Sequence, residues 1–405
     1  MSMFCMSRTF LRHSRVQRLG FLPRIPILKK PQCHRFTQTP RPCDSTPIYH
    51  PRPISYAFDP ATPANQSSPT SPGFSFLHPS NLAQDAEYQH AIPLNPQNLK
   101  VPWPTSLPCA LQSKYWREAE AATNDLLQTL FQSNNNPKGE KYLTAVTEAV
   151  VSYAINLLPL CDLERIKLLS RTFVLAFLHD DAVDAGNISD DVVLIPTEKN
   201  SKPSHKAFNI ISEEILAADP VNGAILIDDI LSWGSTSRNH QQGPTCFSSL
   251  DEYITHGLED FGATLILRCV EFSIADSRSS SPMDLQSISY LKSLCAKHLL
   301  LTNDLYSYAK EVASGDTGLN AVRVVQDLMG CSDSSAKMMV RLMLRDVERQ
   351  MDEEYTRLDT TSSTNSVNDA QLKHARAMII AVAGNMYFSA TCDRYARAVE
   401  GSRLV

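Results

Sequence analysis

Residues 111–405 are predicted to form one all-α domain, preceded by a proline-rich irregular arm. Three observations predict this. Eighteen of the 25 prolines fall before residue 110, and proline both removes a backbone donor and blocks helix interiors. From about residue 112 onward proline is rare and apolar residues recur at helical spacing. No segment shows the apolar–polar alternation of a half-buried strand.

Residues 1–43 contain no Asp or Glu and carry Arg8, Arg12, Arg15, Arg18 and Arg24 with Lys29 and Lys30. An Arg-rich, acid-free, amphipathic start has the character of an organellar transit peptide; a disordered, non-targeting extension is the alternative. The expected location is accordingly the cytoplasm, or the mitochondrion if this stretch is a targeting peptide. Residues 44–110 read as a linker or arm, most open over 60–80, with Trp103 and Leu107 as apolar anchors onto the domain.

Helices are expected at 112–133, 139–158, 162–186, 205–218, 221–233, 250–276, 288–314, 318–330, 333–358 and 369–397. Their breaks have local causes. Asn134-Asn135-Asn136-Pro137, Asp219-Pro220, Gly243-Pro244, Ser279-Ser280-Ser281-Pro282 and the Ser/Thr/Asn run at 360–368 all disfavour helix. No internal repeat is present.

Bulk properties exclude several functions. A net charge of −5 gives no basic surface for nucleic acid, so no such partner is expected. No run approaches eighteen apolar residues, so no transmembrane helix is expected. Ten cysteines without paired spacing read as reduced thiols rather than a disulfide framework.

Two clusters carry chemistry. Asp180, Asp181 and Asp184 follow the apolar run 173–178. On a helix Asp180 and Asp184 lie about 40° apart, and like charges at that spacing destabilise a helix unless something offsets them. Carboxylates carried to the end of a buried helix call for a cation, with oxygen-only donors favouring Mg²⁺ over zinc; an acidic helix end facing solvent is the alternative. The second cluster, Asn303, Ser307 and Glu311 at i, i+4 and i+8, offers an amide oxygen, a hydroxyl and a carboxylate along one face. Lys310 adds a positive charge suited to a phosphate.

With these motifs the chain resembles the class I terpene cyclases, nearest to the fungal cyclase domains that make fusicoccane- and ophiobolin-type skeletons. The stretch 177–184 is similar to their aspartate-rich motif, and Asn303, Ser307, Lys310 and Glu311 match their NDxxSxxKE motif. Arg394-Tyr395 resembles their C-terminal Arg-Tyr pair. The resemblance spans roughly 110–405 and implies a helical bundle around a central active-site cavity. It implies three Mg²⁺ ions held by Asp180, Asp181, Asp184, Asn303, Ser307 and Glu311. Asp180, Asn303, Ser307 and Glu311 would serve catalysis directly. Phe177, Lys310, Arg394 and Tyr395 would contact a polyprenyl diphosphate, first geranylgeranyl diphosphate, alternatively geranylfarnesyl diphosphate. Phe173 and Phe177 point the right way to line the cavity; Trp233, Tyr306, Phe388 and Trp116 are looser candidates, for which ordinary core packing is the alternative.

One position departs from the pattern. Gly257 stands where the family has an arginine that senses the diphosphate, within Tyr253–Gly262. Either His256 or another basic group substitutes, or ionisation is weaker, or the chain is a silent helical scaffold. A chain-elongating prenyl synthase is disfavoured, because Asp190-Asp191 and Asp228-Asp229 lack a third aspartate at the right offset. Without a prenyltransferase bundle, a separate prenyl diphosphate synthase is the expected supplier. A homodimer is left open.

Overall fold

The computed structural model describes residues 49–61, 73–82, 86–131, 139–184, 203–240, 246–276, 281–315, 319–362 and 367–404. The expected targeting stretch 1–43 and the pair Asp190-Asp191 lie outside them.

Helices dominate. A short α1 (Pro79–Leu82) precedes α2 (Trp116–Phe131), α3 (Gly139–Leu157), α4 (Leu163–Asp184), α5 (Pro203–Ala218) and α6 (Pro220–His240). Then come α7 (Leu250–Asp260), α8 (Ala263–Ile274), α9 (Ser289–Ser314), α10 (Ala321–Met329), α11 (Asp333–Ser362), α12 (Asp369–Thr391) and α13 (Asp393–Ala396). Asp219-Pro220, expected as a mere break, is a working helix start. Asp219 Oδ1 accepts from Asn222 N at 2.9 Å, and Pro220 occupies the first helical position, where its missing N–H costs nothing.

The bundle is built around α12, buried along nearly its whole length and packed against α3, α8 and α9. Gly384 makes this possible. A Cβ there would lie 1.9 Å from the Asn156 carbonyl oxygen of α3, so only glycine allows the two backbones to approach.

Four expectations are corrected. Two short strands exist, β1 (Ala91–Leu94) and β2 (Ala110–Ser113), paired antiparallel with Ala91 opposite Ser113. All four residues of β2 are buried, so the alternation that marks a strand is missing. The helix expected from 112 accordingly begins at Trp116. The helix expected over 250–276 is broken at Phe261-Gly262, with Gly262 at φ 72°. The last helix ends at Thr391, because Cys392 is extended (φ −67°, ψ 120°), and restarts as α13.

The arm packs on the bundle. Phe58, Phe74, Leu77, Leu94, Val101 and Leu107 are buried. Ala57 N donates to Ser402 O at 2.8 Å and Leu404 N to Ser55 O at 3.0 Å, so residues 55–58 run beside the C-terminal tail. Asp59 pairs with the buried Arg341, and Phe58 sits edge-on to Tyr306 of α9 at 5.4 Å. Trp103, an expected anchor, donates its indole N–H to Leu107 O at 2.7 Å. No described helix is long and apolar enough to cross a membrane.

Candidate active site

Each motif is set by its helix. The apolar run from Phe173 carries Asp180 and Asp181 into the interior at the C-terminal end of α4, with 0% and 5% exposure. Asp184 closes α4; its side chain lies outside the description. On α9, Asn303, Ser307 and Glu311 occupy one face and are likewise buried. Burying so many polar groups is costly unless each meets a partner or an ion.

The short α13 joins the two helices. Its Arg394 reaches toward α4, with Nη2 at 3.7 Å from Asp181 Oδ1. Its Tyr395 reaches α9, where Asn303 donates from Nδ2 to the Tyr395 hydroxyl at 2.8 Å. With an Nδ2 hydrogen committed to Tyr395, the amide oxygen is the atom of Asn303 suited to ligate a cation. Asp181 also accepts from the Tyr142 hydroxyl of α3 at 2.9 Å.

Arg394 is the most telling group. Its guanidinium is buried, and among the described residues none of its three nitrogens has a hydrogen-bond partner. Burial alone would lower its pKa; Asp181, followed by Tyr395 and Asp180, outweighs that and raises it above the ordinary arginine value. A permanently charged fork of five donors, held dry and unsatisfied, suits a polyanion.

Glu311 has its pKa raised by burial, against the opposing pull of Lys310, the nearby Ser307 hydroxyl and the hydrogen bond from Asn320. Behind the motif Asp304 is fully buried and pushed up to about 7 by the same cause. Lys310 is half-buried beside Glu311.

The donor set fits a hard divalent cation. Two carboxylates on α4, and an amide, a hydroxyl and a carboxylate on α9, are all oxygen donors, with no thiolate or imidazole among them. Among the described residues no three His, Cys, Asp or Glu side chains converge into one cluster.

Beneath the polar end lies an aromatic interior. Tyr153 of α3 makes edge-to-face contacts with Phe173 at 5.1 Å, Phe177 at 5.8 Å and Phe388 at 5.1 Å. Arg394 Cζ stands 5.9 Å from the centre of the Phe177 ring. Tyr153, Phe173, Ala176, Trp233, Gly262 and Leu265 enclose an apolar cavity of about 10 Å³, room for roughly one water.

The α7–α8 break faces this cavity. Trp233 donates its indole N–H to the Asp260 carbonyl at 3.2 Å, and a Cβ on Gly262 would meet the Trp233 ring at 2.8 Å. At Gly257 a Cβ would lie 3.1 Å from Leu300 and 3.5 Å from the Tyr253 ring, so Leu300 and Tyr253 crowd this position of α7. His256 packs its ring against Phe247, centroids 5.6 Å apart. Two looser candidates lie elsewhere: Tyr306 contacts Phe58 and Arg341, and Trp116 donates to His50 O at 3.0 Å.

Sequence reasoning missed Tyr142, Tyr153, Tyr253 and Asn320. Only Asn320 had a local signal, as an N-cap residue ahead of the apolar Ala321–Val325 run.

Comparison with known proteins agrees with this geometry. Residues 171–350 match the family model "Terpene synthase family 2, C-terminal metal binding", a range that holds both oxygen-donor clusters. Terpene cyclase 6 of Gibberella fujikuroi is 29% identical over 86% of this chain and 96% of its own length. Terpene cyclase aneC of Aspergillus aculeatus is 26% identical over 88% of this chain and 85% of its own. The fold is shared with aristolochene synthase from Penicillium roqueforti: TM-score 0.57, 20% identity, covering 71% of this chain and 99% of that one. Fold, family model and relatives converge on one likeness: the chain shares its fold with class I terpene synthases, matches a terpene synthase metal-binding domain over 171–350, and is similar over most of its length to fungal terpene cyclases.

Proposed function

We propose that the chain ionises a linear polyprenyl diphosphate and cyclises the resulting carbocation to a polycyclic diterpene. Geranylgeranyl diphosphate is the first-choice substrate, with Mg²⁺ as the metal, three ions per site and diphosphate released. The observation that carries this reading is the buried, unsatisfied Arg394 guanidinium between two oxygen-donor helices. Such a site holds positive charge ready for an anion and carboxylates ready for cations.

In this reading Asp180, Asp181 and Asp184 on one side, and Asn303, Ser307 and Glu311 on the other, hold the Mg²⁺. Bound Mg²⁺ would supply Lewis-acid stabilisation to the departing diphosphate. Arg394, Lys310 and Tyr395 bind and orient that group. Phe177, under Arg394, and Tyr153, Phe173 and Phe388 exclude water and turn aromatic faces toward positive charge. Gly257, walled in by Leu300, leaves Arg394 and Lys310 as the basic groups that meet the diphosphate, in place of a sensor arginine.

The motif resemblance to fusicoccane- and ophiobolin-type cyclase domains supports a C20 substrate, with geranylfarnesyl diphosphate as the alternative. The substrate would come from a separate prenyl diphosphate synthase, and the product points to secondary metabolism. The test is incubation of purified protein with Mg²⁺ and, in turn, farnesyl, geranylgeranyl and geranylfarnesyl diphosphates, followed by analysis of a hexane extract. A cyclic hydrocarbon from the C20 substrate is expected. No hydrocarbon from any of the three, from folded protein, would point to a silent scaffold, and a longer diphosphate to chain elongation.

A further inference from the structure

We propose that Asn320, which lies outside both motifs, is a positioning residue: it holds one oxygen of the Glu311 carboxylate so that the other faces the cation site. This rests on the reading above, and it adds a residue that neither motif contains. Asn320 is fully buried in the connection between α9 and α10. Its Nδ2 donates to Glu311 Oε2 at 2.8 Å and to the Asp304 carbonyl at 2.8 Å. Its Oδ1 accepts from Val322 N at 2.9 Å, capping α10. Both amide hydrogens and the amide oxygen are thus committed, which leaves the side chain a single orientation.

Neighbouring groups make this joint rigid. Ala321 N donates to Asp304 Oδ2 at 3.0 Å, and the Tyr253 hydroxyl of α7 donates to the same oxygen at 2.6 Å. Helices α7, α9 and α10 therefore meet at one polar junction, two turns along α9 from Asn303 to Glu311. A free glutamate samples several rotamers, and ordering it on metal binding costs entropy. A donor that fixes one carboxylate oxygen beforehand removes part of that cost. Second-sphere partners of this type commonly alter metal affinity 10- to 100-fold.

The test compares Asn320→Ser with Asn368→Ser. Serine caps a helix about as well as asparagine but is too short to reach Glu311. Asn368 caps α12 at the end remote from Arg394 and controls for the change of cap. Mg²⁺ binding is followed calorimetrically in the presence of inorganic pyrophosphate, alongside the Mg²⁺ concentration that gives half-maximal turnover. Asn320→Ser is expected to weaken binding about tenfold, ~1.4 kcal/mol, and to raise the Mg²⁺ requirement similarly, with Asn368→Ser unchanged. Should Asn320→Ser not fold, Asn320→Asp keeps the size and the cap while replacing the donor by an acceptor, and the same weakening is expected. Wild-type affinity in the folded variants overturns the role of Asn320 alone. Folded wild-type protein that binds no Mg²⁺ with pyrophosphate overturns the functional reading as well.

Discussion

Asn303 and Tyr395, 92 residues apart in sequence, share a 2.8 Å hydrogen bond from the amide to the phenol. The bond ties α13 to α9, and the preceding Arg394 leans toward Asp181 of α4, 3.7 Å away. The relationship is testable by a double-mutant cycle. Tyr395→Phe and Asn303→Ala should be non-additive, with a coupling of about 0.5–1.5 kcal/mol in thermal unfolding. Strict additivity would show that the bond does not hold the helices together.

Arg394→Lys keeps a charge but loses the planar fork. Since one preorganised donor aimed at developing negative charge contributes about 10²–10³ in turnover, a loss of that size is expected, with the helical circular dichroism retained. Asp180→Ala and Asn303→Ala are each expected to abolish product without loss of helical signal. Wild-type turnover in either would falsify their assignment as metal ligands.

Gly257→Arg is the natural way to restore a sensor arginine, yet Leu300 stands 3.1 Å from the Cβ it would introduce. The single variant is expected to lose about 1–3 kcal/mol from overpacking, without a gain in turnover. Paired with Leu300→Ala it should recover stability and turn over faster than wild type. Turnover of both at the wild-type level would show that the missing guanidinium does not limit the enzyme.

Gly262→Ala would place a methyl group against the Trp233 ring at 2.8 Å, on a backbone with φ 72°. Both effects oppose folding, and a loss of at least about 1–3 kcal/mol is expected in denaturant unfolding. A neutral result would mean that the α7–α8 break moves freely.

Burial pushes the Asp304 carboxyl up to about 7, well above the ordinary carboxylate range. A carboxyl whose folded value is raised binds its proton more tightly in the native state, so the native state is favoured at low pH. Stability should therefore fall as pH rises from about 4 to about 7 in metal-free protein. Asp304→Asn should flatten that slope. An unchanged slope would assign the pH dependence to another group.

The residues of both clusters and their helices were legible because the chemistry is local. Helical spacing puts Asn303, Ser307 and Glu311 on one face whatever surrounds them, and an apolar run ending at Asp180 reads directly as a buried helix end. The break at Gly262 was not legible, because a lone glycine within helical periodicity signals nothing until Trp233 packs against it. The strand β2 escaped for a related reason: full burial erases alternation, and its partner β1, four residues long and interrupted by Pro93, is too short to show a period.

What the chain alone determined was the placement of oxygen donors along two helices. What folding decided was how those donors meet. Tyr142 on Asp181, Asn320 on Glu311, Tyr395 on Asn303 and the closing of Tyr153, Phe173 and Trp233 over a cavity of about 10 Å³ are all contacts between elements. Periodicity reports which way a side chain faces along its own helix. Which partner it finds depends on how the helices pack, and that is settled only when the whole core closes at once.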